Sequence, residues 1–141
     1  MDRPLIEEKL ESLRRCVRRI AEKRPQSVEG LSGDFDLQDI IAVNLERAVQ
    51  LCVDLAATVI AERQLKPPET MAESFDALRH EGVLSSSIAD RMKKAVGFRN
   101  IAVHSYQKID WQIVFEIIHK HLHDFEDFAQ AIYRVTLPEK D

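Results

Sequence analysis

The chain has 141 residues, of which 45% are hydrophobic and 31% are charged. These values are typical of a globular protein that buries its own core, and they exclude an intrinsically disordered chain. The net charge of −4 excludes a protein that binds polyanions over its whole surface, so a nucleic-acid interface would have to be a local basic patch. We interpret residues 1–141 as one domain.

The cysteines and the N-terminal composition indicate the compartment. Cys16 and Cys52 are far apart and each falls on an apolar helical stripe, which indicates buried reduced thiols rather than a disulfide framework. Residues 1–12 carry mixed charge, unlike a signal peptide. No apolar run reaches the roughly 18 residues that a membrane span needs. We therefore expect a cytoplasmic protein.

Hydrophobic residues recur at helical spacing from the beginning of the chain. In "LIEEKLESLRRCVRRIAEKR" the apolar positions step by four and three residues, which predicts a helix that Asp2 caps and Pro25 ends. The stretch "PQSVEGLSGD" that follows has the composition of a loop. A longer helix is predicted over roughly residues 36 to 63, and its broad apolar stripe indicates a central position.

Three further helices complete the predicted architecture. Thr70 and Glu73 match a capping box for a short helix that ends near Gly82. A fourth helix is predicted from residue 86 or 87, and the last one over residues 110 to about 134. No segment shows the alternation of a strand. About five helices joined by short loops predict an all-α fold, an antiparallel helical bundle.

The segment "FRNIAVHSYQ", residues 98–107, contains the residues best suited to chemistry on RNA. Arg99 offers a permanent charge and a bidentate fork to a phosphate, and His104 can take a proton from a 2′-hydroxyl or give one to the leaving oxygen. This reaction needs no metal, because the 2′-oxygen is the nucleophile. On an unbroken helix, however, residues five apart point about 140° apart, whereas Tyr106 would share a face with Arg99. Either the helix unwinds between Arg99 and His104, or a second copy of the chain completes the cleft.

Basic residues are concentrated around this segment. Between positions 91 and 109 there is no acid and there are five basic residues: Arg91, Lys93, Lys94, Arg99 and Lys108. Without these five positive charges the rest of the chain carries about −9, so the segment is predicted to form an RNA-binding patch. The alternative is that the cations complement the dipole at the C-terminus of a helix.

"FRNIAVHSYQ" resembles the Arg-x4-His-x-Tyr signature of the HEPN superfamily, in its HepT-like branch. Arg99, His104 and Tyr106 fall on the signature positions, and Asn100 matches the polar residue that usually follows the arginine. A long second helix containing "NLERAVQLCVDLA" and an aromatic-rich last helix also fit the layout of that family. The resemblance implies the HEPN fold, dimerising around the helix that carries the Arg-x4-His motif.

The resemblance also implies a function. HepT-like proteins are metal-independent ribonucleases, the toxins of type VII-like toxin–antitoxin pairs, with the arginine and histidine of two protomers in a shared cleft. Arg99 and His104 are therefore expected to be catalytic, and Asn100 to hold the local backbone or the histidine. The implied antitoxin is an MNT-type nucleotidyltransferase that transfers AMP from ATP to Tyr106. ATP and magnesium then belong to that partner, and no cofactor is expected in this chain.

Two other clusters have alternative interpretations. Glu116, His119 and His123 have the spacing of metal ligands on one helix face, but no fourth ligand is evident, and we predict a solvated face without metal. The run "RRCVRR" has three interpretations. It extends an RNA-binding surface, it binds an acidic partner, or it is a solvated face in which Glu11 pairs in part with Arg15 one turn later.

Two rival functions remain open for the whole chain. In the first, the protein is a non-catalytic accessory subunit that binds a nucleotide, or presents a substrate, for a nucleotidyltransferase partner. Arg99 and the basic patch would then hold a triphosphate, and His104 would only form a hydrogen bond. In the second, the bundle serves protein–protein contact alone. The complete arginine–histidine pair favours the ribonuclease, because an anion-binding site has no need of a histidine there.

Overall fold

A computed structural model describes residues 2–137, and the regular elements of that part of the chain are all helical. The helices are α1 Arg3–Lys23, α2 Val28–Ser32, α3 Phe35–Glu62, α4 Met71–His80, α5 Ser86–His104, α6 Trp111–Lys120 and α7 His123–Thr136. A 3-10 turn, Tyr106–Lys108, connects α5 to α6. The predicted all-α class is confirmed. Across residues 2–137, every helix is too short or too polar to traverse a lipid bilayer.

Polar side chains define where most of the helices begin. In each case a side-chain oxygen accepts a hydrogen bond from a backbone amide in the first turn, which satisfies a donor that has no partner within the helix. The caps of α1, α3, α4, α5 and α6 are Asp2, Asp34, Thr70, Ser85 and Asp110. The predicted starts at residues 2, 70 and 110 are therefore confirmed.

The structure corrects two of the predicted elements. The stretch "PQSVEGLSGD" contains the short helix α2, whose Ser27 cap accepts a hydrogen bond from the Gly30 amide and whose Leu31 is fully buried. The last predicted helix is in fact two helices, because the backbone leaves the helical region at His121 (φ −127°). The amide of Asp124 then bonds to a carbonyl only three residues earlier. This break lets α6 pack on α2 while α7 packs on α1, α3 and α5.

Helix α3 lies at the centre of the bundle, as predicted. It packs against α1, α2, α4, α5 and α7, and eleven of its residues are buried. Cys16 and Cys52 are buried reduced thiols, which confirms the prediction, and burial raises the pKa of the Cys52 thiol well above its ordinary value. Phe75 of α4 and Phe128 of α7 are fully buried and meet edge to face, with ring centroids 5.7 Å apart.

Candidate functional site

The motif residues lie at the C-terminal end of α5. This helix continues through His104, and the backbone leaves the helical conformation only at Ser105 (φ −151°, ψ 52°). Arg99 and His104 therefore project from one intact helix, about 140° apart. The helix is not unwound between them, so the predicted alternative of local unwinding is wrong, and the completion of the cleft by a second copy of the chain stays a prediction.

Arg99 makes two weak polar contacts, one with α3 and one with its neighbour on α5. Its Nη2 donates to Oε1 of Gln50 at 3.3 Å, and its Nη1 donates to Oδ1 of Asn100 at 3.4 Å. The Nε atom is buried and has no hydrogen-bond partner in the described part of the chain. Asn100, expected to hold the backbone or the histidine, thus contacts the guanidinium. No carboxylate within residues 2–137 forms an ion pair with Arg99, so its charge is available to an anion.

His104 is exposed in the last turn of α5. The side chain forms no hydrogen bond with the residues that the structure describes, so both ring nitrogens are open to a substrate or to a second protein chain. Its neighbours Ile101 and Val103 are large apolar residues that are 44% and 41% exposed. The end of α5 therefore combines a titratable group with apolar surface.

Tyr106 lies on the 3-10 turn that follows α5. Its phenolic Oη donates a 2.6 Å hydrogen bond to Oδ1 of Asp39, and its ring contacts the edge of Trp111 at a centroid distance of 6.0 Å. Partial burial, followed by the hydrogen bond and the charge of Asp39, raises the pKa of Tyr106 above its ordinary value. The phenol is therefore protonated at neutral pH. Because the helix ends before Tyr106, the sequence argument that placed it on one helical face with Arg99 does not apply.

Arg99 and Tyr106 nevertheless contact the same side of α3. Their partners, Gln50 and Asp39, are eleven residues apart, which corresponds to about 20° around that helix and about 16 Å along it. Asp39 precedes Gln50 in α3, whereas its partner Tyr106 follows Arg99 in the chain. The two segments therefore run antiparallel. Sequence reasoning missed both partners. The available signal was a polar stripe at helical spacing on an otherwise apolar helix: Asp39, Arg47, Gln50 and Asp54.

The structure divides the predicted RNA-binding patch. Arg91 pairs with Asp124 of α7 at 2.9 Å, and Lys93 pairs with Asp76 of α4 at 3.2 Å, so both cations face acids of neighbouring helices. Lys94 and Lys108 are exposed and have no acidic partner among residues 2–137. Arg91 and Lys94 line a hollow beside α6 and α7, away from the α3 contact of Arg99. Cations of the predicted patch that are close in the sequence thus lie on different sides of α5.

The predicted metal-ligand spacing does not form one helix face. Glu116 pairs with Lys120 in α6, His119 Nε2 donates to the carbonyl oxygen of Pro25 at 2.7 Å, and His123 begins α7 beyond the break. The prediction that these residues share one helix face is therefore wrong. All three side chains are nevertheless exposed, as a solvated surface requires. That the protein functions without metal stays a prediction.

The "RRCVRR" segment has two different surroundings. Arg14 pairs with Glu11 at 2.7 Å, so the expected support from Glu11 goes to Arg14 rather than to Arg15. Arg15 and Arg19 instead line a cleft between α1 and α3, together with Arg47. This cleft also contains Asp39 and Gln50, the α3 residues that contact the candidate site. Arg47 was not singled out from the sequence.

An all-helical bundle in which one helix carries the Arg-x4-His motif is the arrangement that the resemblance to HEPN proteins implied; Arg99 is half-buried there and His104 is exposed. Residues 6–132 match the ribonuclease HepT-like family, and the chain belongs to that family.

Known relatives agree with this assignment over nearly the whole chain. The protein is 35% identical over 128 residues to the mRNA nuclease HepT of Shewanella oneidensis, covering 91% of this chain and 96% of that protein. It is 25% identical over 139 residues to the tRNA nuclease HepT of Aphanizomenon flos-aquae, covering 97% and 95%. A tri-AMPylated Shewanella oneidensis HEPN toxin, solved in complex with an MNT antitoxin, is 34% identical with a TM-score of 0.88, covering 95% of this chain and 99% of that chain.

Proposed function

We propose that the protein is a metal-independent endoribonuclease, the toxin of a toxin–antitoxin pair, with Arg99 and His104 as its catalytic residues. One observation carries the proposal: a chain of the ribonuclease HepT-like family presents a complete arginine–histidine pair at the accessible end of α5. Arg99 has no acid partner within residues 2–137, and in the same part of the chain His104 forms no hydrogen bond. Both groups are therefore available to a phosphodiester.

In the proposed reaction the 2′-oxygen of RNA attacks the adjacent phosphorus. The new bond joins the 2′-oxygen to phosphorus, the bond to the 5′-oxygen breaks, and the products end in a 2′,3′-cyclic phosphate and a 5′-hydroxyl. The 2′-hydroxyl loses its proton and the leaving 5′-oxygen gains one; His104 carries out one of these transfers, and water or the second protomer's copy of that histidine carries out the other. Arg99 binds the non-bridging oxygens, on which negative charge increases in the transition state.

The proposed active form is a homodimer with a composite site. The angle of about 140° between Arg99 and His104 on one helix supports this, since one chain does not direct both side chains at the same atom. The exposed Ile101 and Val103 supply apolar surface for a partner to cover. A twofold axis beside the end of α5 would bring Arg99 of one protomer toward His104 of the other.

The proposed inhibitor is an MNT-type nucleotidyltransferase that transfers AMP from ATP to Tyr106. The Shewanella HEPN toxin, which is AMPylated and bound to an MNT antitoxin, supports this assignment by its similarity. Tyr106 is 39% exposed on the turn that follows His104, so its phenol is accessible to a second protein. The added phosphate would place negative charge where the substrate phosphate has to bind. ATP and magnesium would be cofactors of that partner.

The test compares purified wild-type protein with Arg99→Ala and His104→Ala variants on labelled RNA in the presence of a chelator. We expect the wild type to produce 2′,3′-cyclic phosphate ends, and loss of His104 to slow cleavage by about 100- to 10,000-fold. Circular dichroism checks that the variants are folded. Equal cleavage by wild type and both variants would overturn the catalytic assignment. If the folded wild type binds ATP but cleaves no RNA, the accessory-subunit function replaces it.

A further inference from the structure

We propose that the cleft between α1 and α3 binds the RNA backbone beside the scissile phosphate, through Arg15, Arg19 and Arg47. We call this surface the arginine cleft. The proposal rests on the proposed ribonuclease function and adds to it a phosphate-binding subsite outside the Arg-x4-His motif. The ligand class is a single-stranded polynucleotide, recognised by its charge and not by its bases.

The three arginines converge from two helices. Arg15 and Arg19 are four residues apart on α1 and therefore lie one turn apart on the same face, about 6 Å along the axis. Arg47 lines the same cleft from α3. Arg15 and Arg47 are both close enough to the Cys16 thiol to oppose the increase in its pKa that burial causes. The three arginines therefore line one surface.

The positive charge of the arginine cleft exceeds the negative charge of its lining. None of Arg15, Arg19 and Arg47 forms an ion pair with a carboxylate of residues 2–137. Two acids also line the cleft: Asp54 pairs with Lys9 at 3.4 Å, and Asp39 accepts a hydrogen bond from the neutral phenol of Tyr106 and keeps its charge. In a protein of net charge −4, three unpaired arginines in one cleft indicate a site for an anion.

The arginine cleft is continuous with the candidate catalytic site. Gln50 lines the cleft and accepts the hydrogen bond from Arg99, and Arg47 lies one turn before Gln50 on α3. An RNA strand with its scissile phosphate at Arg99 can therefore place its next phosphates along Arg47 toward Arg15 and Arg19. At the other end of the cleft, Asp39 holds Tyr106, so the same surface borders the tyrosine proposed as the modification site.

An acidic protein surface is the other ligand with suitable charge, and two facts favour RNA. The cleft shares Gln50 with the site proposed to cleave phosphodiesters, so the proposed function would bring RNA to its edge. All three cations are also arginines, whose planar fork matches the oxygen geometry of a phosphate. We therefore assign the arginine cleft to RNA and treat protein docking as an outcome that the experiment distinguishes.

The experiment uses two double variants that make the same charge change on the same helix. Arg15→Gln/Arg19→Gln removes two cleft charges, and Arg14→Gln/Arg18→Gln removes two charges of α1 that do not line the cleft. Binding to a single-stranded RNA of about ten nucleotides is measured with both double variants in the His104→Ala background. Kinetics are measured with the same double variants in the active protein. The variant Arg15→Lys/Arg19→Lys keeps both charges, and thermal unfolding checks that every variant is folded. Together they distinguish an effect of charge from a loss of folding.

We expect the cleft variant to bind RNA at least tenfold more weakly at low salt. The slope of log affinity against log salt should become less steep by about 0.7 for each arginine removed. In kinetics, KM for long RNA should rise with kcat unchanged, whereas cleavage of a dinucleotide, too short to reach the cleft, should not change. The lysine variant should recover most of the binding.

Two results would overturn the assignment. One is an equal salt slope and KM in the cleft variant and its α1 control. The other is unaltered RNA binding together with lost binding of the nucleotidyltransferase, which would make the cleft a protein-docking surface. Failure of the ribonuclease proposal looks different. In that case the wild type would not cleave RNA, while its RNA binding would still depend on Arg15 and Arg19.

Discussion

The phenolic oxygen of Tyr106 donates a 2.6 Å hydrogen bond to Oδ1 of Asp39, a residue that lies in the first turns of α3. This bond ties the turn after α5 to the central helix. It also gives the phenol an adjacent carboxylate that can accept its proton. In the proposed modification, Oη attacks the α-phosphorus of ATP and pyrophosphate leaves, so the phenolic proton has to go to a base, and Asp39 is in place to take it.

Asp39→Asn should therefore slow adenylylation of Tyr106 by about 100-fold or more, because an amide accepts a hydrogen bond but does not take the proton at neutral pH. The rate is measured in single turnovers with the nucleotidyltransferase and ATP, with mass spectrometry of the adduct. Asp36→Asn, an exposed change about one turn earlier on α3, is the matched control. Similar rates for the two variants would show that the base comes from the partner.

The raised pKa of Tyr106 has a direct spectroscopic consequence. In a Tyr133→Phe background Tyr106 is the only remaining tyrosine, and its ionisation is followed by ultraviolet absorbance. Asp39→Asn should lower the pKa of Tyr106 toward the ordinary value of about 10, since it removes the negative charge and leaves only a neutral acceptor. An unchanged titration would show that burial alone raises the pKa.

The same shift predicts how stability varies with alkaline pH. Folding favours the protonated phenol, so the contribution of Tyr106 is fully present below a pH of about 10, where an unfolded tyrosine ionises. The contribution is lost as the pH rises through the higher pKa of the folded state. The free energy of unfolding should therefore decrease more steeply above pH 10 in the wild type than in Asp39→Asn. Urea unfolding at several pH values on both sides of this point provides the comparison.

Gln50 is expected to position Arg99, because its amide oxygen accepts the 3.3 Å hydrogen bond from Nη2. Gln50→Leu removes this contact and should reduce kcat/KM for RNA by about tenfold, the effect of one hydrogen bond to a charged group. Gln50→Glu should be more harmful, since a carboxylate would pair with Arg99 and compete with the phosphate. Steady-state kinetics give this order directly. Activity of the glutamate variant equal to or above that of the leucine variant would contradict the positioning role.

Stability should depend strongly on the aromatic contact between α4 and α7. Phe128→Ala removes a fully buried ring that meets Phe75 at 5.7 Å, so the free energy of unfolding should decrease by about 3–5 kcal/mol. Phe35, which is 79% exposed, gives the control: Phe35→Ala should change stability by less than about 0.5 kcal/mol. Urea unfolding measures both. A small effect at Phe128 would mean that the core contracts around the missing ring.

The sequence was sufficient for the features that depend on local patterns. Apolar periodicity and side-chain caps predicted α1, α3 and the starts of α4 and α6, and the resemblance implied that one helix carries Arg99 and His104. The break at His121 was missed because the apolar spacing continues through it. α2 was missed because five residues are too few to show a helical period.

The surroundings of the site could not be predicted in the same way. Gln50 and Asp39 reach Arg99 and Tyr106 only through the antiparallel packing of α3 on α5, across 49 and 67 residues of sequence. The division of the predicted basic patch could not be foreseen for a related reason. Adjacent cations on a helix point in different directions, and Arg91 and Lys93 find acids on α7 and α4 that are distant in the sequence.

The composite site proposed for the dimer can be tested by mixing two inactive variants. Arg99→Ala and His104→Ala are each expected to be inactive, but a mixed dimer contains one site with an intact arginine from one chain and an intact histidine from the other. After subunit exchange of equal amounts, cleavage should return to about a quarter of the wild-type value, since half of the dimers are mixed and each has one complete site. The Arg99→Ala/His104→Ala double variant mixed with either single variant should give none. If the two single variants also stay inactive together, Arg99 and His104 act within one chain, and the intact α5 helix would have to bend to let them do so.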